Sequence, residues 1–161
     1  MSEYGLAARL GIEQDAAARF IATYFGRYAS VKHYFDETLR LGRERGYVAT
    51  VLGRRRYIPE LRSPNRNVSA AAEREAVNMP IQGTAADIIK IAMVRLYRAL
   101  RDRGLHSRML LQVHDELVLE VLQKEVDAVV PLVKECMEKA YPLDTPLLVE
   151  ARTGRTWGDL K

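Results

Sequence analysis

A single cysteine, Cys136, stands among 161 residues, so no disulfide can close within the chain and a reducing, cytoplasmic home fits. No run of about twenty apolar residues occurs, and a membrane-spanning helix needs one. No basic segment followed by an apolar stretch opens the chain, so a secretion signal is not expected. Low-complexity tracts, internal repeats and long linkers are also missing. His33, His106, His114 and Cys136 are too scattered to suggest a zinc site. No serine is placed by sequence to complete a triad with His114-Asp115. Neither Gly53-Arg54-Arg55-Arg56 nor Gln82-Gly83-Thr84 has the spacing of a Walker loop.

What is present reads as one soluble globular unit. The chain is 48% hydrophobic and 29% charged, and at this length about 68–70% of the unfolded surface can be buried. The net charge of +4 is localised. Between Gly53 and Arg74 lie Arg54, Arg55, Arg56, Arg62, Arg66 and Arg74 against only Glu60 and Glu73, an excess equal to that of the whole chain. Arginine forks onto phosphate oxygens and displaces counterions, so such a stretch suits a polyanion; it also suits a solvated basic loop.

Hydrophobic spacing divides the chain. Ser2 can cap a first helix that Gly11 ends; a second runs from about Glu13 to Gly26 with Ala17, Phe20, Ile21, Tyr24 and Phe25 on one face. Ser30 caps a third, striped by Val31, Tyr34, Phe35, Thr38 and Leu39 and ended by Gly46. Tyr47 to Ile58 reads as a small basic hairpin turning at Gly53, and Glu60 to Asn67 as a polar surface loop. A helix begins near Ala70, capped by Asn67 or Ser69, with Pro80 expected to kink or break it. A second hairpin spans Arg108 to Val121, with Met109, Leu111 and Val113 on one face of its first arm and Leu117, Leu119 and Val121 alternating on the other. A helix from about Lys124 to Ala140 and a strand near Leu147 to Ala151 follow.

Two places carry chemistry. Gln112-Val113-His114-Asp115-Glu116 puts adjacent carboxylates at the second hairpin's tip. Hard oxygens of this kind suit magnesium, which is bound by one or two carboxylates plus phosphates and water; the same residues can be an ordinary polar turn. Arg74, Asn78 and Gln82 recur every four residues along a helix. Amide donors can address the minor-groove acceptors that all base pairs share, although polar helix faces are also commonly just solvated.

Together the segments Ala72 to Asp87 and Gln112 to Glu120, with the Gly53-Arg54-Arg55-Arg56-Tyr57 turn and the ending around Trp157, resemble the C-terminal fingers and palm part of a bacterial family A DNA polymerase, the DNA polymerase I type. The resemblance covers nearly the whole chain. It implies an α+β fold: helical fingers over residues 1–46, a basic hairpin and loop over 47–66, and a palm portion over 67–161 whose acidic hairpin packs on long helices, all in one compact unit. It also implies template-directed nucleotidyl transfer to a primer 3′ end by a two-metal mechanism with Mg2+. Asp115 then binds metal as a catalytic residue, with Glu116 in a supporting role. His114 touches the primer's terminal nucleotide, Asn78 and Gln82 test base-pair shape, Arg74 contacts the template strand, and Arg56 with its neighbours holds the duplex backbone. The partners implied are primer-template DNA and deoxynucleoside triphosphates, in the bacterial cytoplasm at the nucleoid.

In that family, the residues before this segment include the nucleotide-binding fingers helix and the palm strand with the other metal-binding aspartate. Neither is found here, so the isolated polypeptide is expected to be inactive, and its uncovered apolar surface leaves self-association open. A non-catalytic DNA-binding module is the alternative from another class. A single-subunit RNA polymerase is the nearer alternative, but Leu117-Val118-Leu119-Glu120 after the acids is closer to the DNA enzymes.

Overall fold

The computed structural model describes residues 2–160. They form helices α1 (Glu3–Leu10), α2 (Gln14–Arg27), α3 (Ala29–Arg45), α4 (Arg66–Asp102) and α5 (Val126–Glu138). Strands β1 (Tyr47–Ala49) and β2 (Arg55–Tyr57) make one antiparallel ladder; β3 (Arg108–Val113) and β4 (Glu116–Glu120) make another. This mostly helical chain with two small hairpins is α+β. By compactness it falls into two units, Met1–Pro80 and Ile81–Lys161, where the sequence suggests one.

In the first unit, α1 is capped as its sequence suggests: Ser2 Oγ accepts from Gly5 N at 3.2 Å, and Gly11 closes the helix at φ +65°. Helix α3 departs from expectation. It starts at Ala29 with Tyr28 as the N-terminal flanking residue, so Ser30 lies inside the first turn and caps nothing. The expected polar loop after β2 is mostly exposed but gives one residue, Leu61, to the core. Pro59–Arg62 winds into a 3₁₀ turn that buries Leu61 with Val48, Ile58, Ala72 and Ala76, while Leu39 and Met79 pack against them. Arg62 then donates from Nε and Nη2 to the carbonyls of Arg43 (2.6 Å) and Glu44 (2.9 Å), satisfying the end of α3.

Helix α4 begins earlier than its apolar spacing suggests. Asn65, not Asn67 or Ser69, is the cap: its Oδ1 accepts from Asn67 N at 3.0 Å and Val68 N at 3.4 Å, and its carbonyl from Ser69 N at 3.0 Å. The helix runs unbroken past Pro80 for 37 residues. It ends in a Schellman motif at Gly104 (φ +65°), with Leu105 N bonded to Leu100 O and Gly104 N to Arg101 O, each at 3.0 Å.

In the second unit, Leu96, Leu100, Val129 and Leu132 form the buried centre, and Met109, Leu117, Leu119 and Val121 of the hairpin pack on it. Leu111 and Val113 do not join Met109. Leu110 is an extra residue between the pairs Met109↔Leu119 and Leu111↔Val118, and this bulge turns Leu111 and Val113 to the opposite face. The strand expected at Leu147 to Ala151 is not formed. Half-buried Leu147 and Val149 alternate with exposed Leu148, but no ladder partner lies beside them among the described residues, and Val149 N bonds instead to Glu138 Oε1 at 3.1 Å.

Gly42 lets β1 and the 3₁₀ turn approach α3: a Cβ there would lie 2.9 Å from Leu61 Cδ1 and 3.2 Å from Val48 Cγ1, both on buried side chains. Alanine gains up to about 1 kcal/mol of helix propensity over glycine, whereas overpacking costs about 1–3 kcal/mol. Because both neighbours are buried in the core, Gly42→Ala is expected to destabilise the first unit by about 1 kcal/mol, lowering a thermal melt by about 2–4 °C. An unchanged or higher melting temperature contradicts this packing.

Candidate functional site

The acidic motif sits where a two-residue turn joins β3 to β4. Val113 pairs with Glu116, leaving His114 and Asp115 as the central residues. His114 has φ +55°, the only positive value at a non-glycine residue among those described. A positive angle at the first central position alone is the pattern of a type II′ turn, which follows the natural twist of a hairpin and ordinarily carries glycine there. The tip is held by Gln112, whose Nε2 donates to the His114 carbonyl at 2.9 Å. His114, Asp115 and Glu116 are all exposed, and neither carboxylate makes an ion pair or hydrogen bond among the described residues. Both acids are therefore open to an outside cation.

No group of three histidine, cysteine or acidic side chains converges to hold a metal among the described residues. Asp115 and Glu116 are instead a partial set of hard oxygens, the kind that holds magnesium jointly with phosphates and water.

The other candidates lie elsewhere. Arg74 and Asn78 are exposed, one turn apart, on the part of α4 in the first unit; Gln82 is exposed on the part in the second. The arginine-rich stretch is less free than its composition suggests. Arg56 pairs with Glu75, and Arg62 is spent on backbone carbonyls; Glu73 is taken by Arg43 from outside the stretch. Arg55 lies over the Tyr47 ring at 4.7 Å, and Tyr47 packs against Tyr57. Arg74 alone of the proposed DNA-contacting arginines has no partner among the described residues, and its exposure leaves the guanidinium available.

The model of DNA polymerase family A matches residues 1–159 of this chain. The chain belongs to that family. It is 53% identical over 161 residues to the thermostable DNA polymerase I of Thermus filiformis and 48% identical to DNA polymerase I of Lactococcus lactis, covering 100% of itself but only 19% and 18% of those proteins. Among solved structures it is similar to the polymerase domain of Pol1 from M. smegmatis in complex with DNA primer-template and dNTP. The TM-score is 0.95 at 51% identity, over 99% of this chain and 28% of that one. The chain thus spans about a fifth of the length of its curated relatives.

One acid of this family A segment escaped the sequence reading. Glu125 looks like a solvated residue in Gln123-Lys124-Glu125, yet it is buried just before α5. It accepts from Ser107 Oγ at 2.7 Å, Ser107 N at 3.0 Å and His106 N at 3.1 Å, with His106 Nδ1 at 3.4 Å. The Ser107 hydroxyl, with the two backbone N–H groups, outweighs burial and pulls its carboxyl from the ordinary range down to about 2. Nothing in the local sequence marks it, because its partners, the Ser107 hydroxyl and the backbone N–H groups of His106 and Ser107, are 18 and 19 residues away.

A carboxyl whose pKa is lower folded than unfolded adds stability above the unfolded value, and that stability fades as pH falls towards the folded one. Wild type and Glu125→Gln should therefore differ most in melting temperature above pH 5 and converge as pH falls from about 4.5 to 2. A gap that stays constant over that range contradicts the clasp.

Proposed function

We propose that this chain forms part of the catalytic site of a DNA-directed DNA polymerase, with Asp115 as a catalytic, metal-holding carboxylate and Glu116 in support. The observation that carries the reading is the pair of exposed, unpartnered acids at the tip of a short hairpin, in a chain of family A. Divalent metal use is general in this family, and Mg2+ is the ion that the donor set fits. When bound, it supplies charge neutralisation at the reacting phosphate. The chain's own contribution is to hold the carboxylates at a fixed place, so that little reorganisation is needed when a nucleotide arrives.

The remaining roles are those that membership of family A suggests for these residues. His114, lifted at the turn by its positive φ, meets the primer's terminal nucleotide. Asn78 and Gln82 donate to shared minor-groove acceptors, which penalises a misshapen pair without reading sequence. Arg74 contacts the template strand. Arg56 uses part of its five-donor fork on Glu75, next to Arg74, and turns the rest to the duplex backbone. Residues 1–46 act as fingers helices, 47–66 as a backbone-gripping hairpin and 67–161 as palm. The substrates are primer-template DNA and deoxynucleoside triphosphates, and the work is bacterial, cytoplasmic and at the nucleoid.

The test is a chimera in which these 161 residues replace the matching segment of the Thermus filiformis polymerase. It should extend a primed template. Asp115→Ala should lower the incorporation rate by at least about 1,000-fold, the scale of losing a catalytic electrostatic group, while DNA affinity changes less than about threefold. Loss of both together, or of neither, favours a binding module over a catalytic one.

A further inference from the structure

Among the side-chain groups outside the proposed catalytic tip, the Gly42 contact, the arginine pairs of the first unit and the Glu125 clasp are built rather than merely exposed. Only the clasp touches an element that carries the acids. We infer that Glu125 is a positioning residue for the acidic hairpin: it ties the entry to β3 to the start of α5, and so fixes the angle at which Asp115 is held. The inference rests on the polymerase reading above.

The hairpin is otherwise held by contacts that do not define direction. Met109, Leu117, Leu119 and Val121 lie on the apolar centre of the second unit, and hydrophobic contact is non-directional, so a ribbon can pivot on it at small cost. Arg108 and Glu120 pair at 2.7 Å, but both belong to the hairpin and anchor it to nothing else. The Glu125 carboxylate differs in kind. Two backbone N–H groups and a hydroxyl from His106 and Ser107 meet it, immediately before β3 begins at Arg108. The residue is 7% exposed, so water competes little for those bonds.

The geometry is that of a lever. Base and tip are separated by the six residues of β3, roughly 20 Å at about 3.3 Å per residue. A rotation of about 5° at the base therefore moves the tip by roughly 2 Å, whereas a misplacement of about 1 Å at a reacting centre can cost on the order of 100-fold in rate. A carboxylate far from the chemistry can thus control it without touching substrate.

The experiment is single-turnover nucleotide incorporation by the chimera described above, measuring the rate constant and, separately, the burst amplitude that counts active enzyme. Glu125→Ala is expected to lower the rate constant at least tenfold, with primer-template Kd and burst amplitude within about twofold of the parent. Glu125→Gln, which keeps the length and one acceptor, should recover part of the rate; Glu125→Asp, too short to reach, should not. A purely structural role reduces amplitude and melting temperature but leaves the rate constant of the surviving enzyme unchanged, and that result overturns the inference. If Glu125→Ala does not fold, Ser107→Ala removes a single donor and should slow the rate about threefold; an unchanged rate there overturns it equally. Failure of the unsubstituted chimera to extend a primer would instead count against the polymerase reading itself.

Discussion

With only His114 and Asp115 between β3 and β4, the chain must reverse at the acids themselves, and a reversal this tight keeps polar side chains out of the core. Backbone angles suited to glycine are accepted at His114, where a non-glycine residue at positive φ costs on the order of 1–2 kcal/mol. That cost is offset elsewhere, by the Gln112 bond to the His114 carbonyl and by the apolar face that seats the hairpin on Leu96, Leu100, Val129 and Leu132. Strain of this kind persists only where the surroundings over-determine it, and it gathers at functional sites. The bulge at Leu110 belongs to the same arrangement. By changing the face of Leu111 and Val113, it places Gln112 on the same face as Leu117.

The first unit solves a different problem, a crowded cationic surface. Six arginines within 22 residues repel one another unless some are engaged. Of these, Arg56 is paired with Glu75 on α4 and Arg62 closes the end of α3, while Glu73 is taken by Arg43 of α3. These surface ion pairs add little stability by themselves, since exposed pairs are worth about 0–1 kcal/mol. Their effect is to order the helix face beside Arg74. The packing beneath them, through Gly42, Val48, Ile58 and Leu61, is what holds the short β1–β2 ribbon in place.

Features that depend on nearby residues were legible in the sequence. Ser2 and Gly11 bound α1, Gly46 ends α3, and the two-residue turn at His114–Asp115 falls where alternation predicts it. Features set by distant partners were not. Asn65 caps α4 because its side chain outcompetes Asn67 and Ser69 for the first free N–H groups, a choice that spacing cannot decide. Leu61 looked like part of a polar loop because its partners lie on α3, β1 and α4. The Leu110 bulge inverted one face of a strand that alternates cleanly on paper. Leu147 to Ala151 has a strand's pattern, but a strand also needs a neighbour, which pattern alone does not supply. The acids and the helical Arg74, Asn78 and Gln82 were legible as candidates because residue type and exposure agree; Glu125 was not, since its burial comes from folding.

The central claim is that Asp115 binds the divalent ion at the primer end. Manganese can replace magnesium and scatters anomalously, so diffraction from chimera crystals with primer-template, nucleotide and Mn2+ locates the ion directly. The account predicts an anomalous peak about 2.0–2.2 Å from an Asp115 carboxylate oxygen, the distance expected for a small hard cation. A fully occupied ion beside the nucleotide phosphates with Asp115 turned away from it would contradict the account.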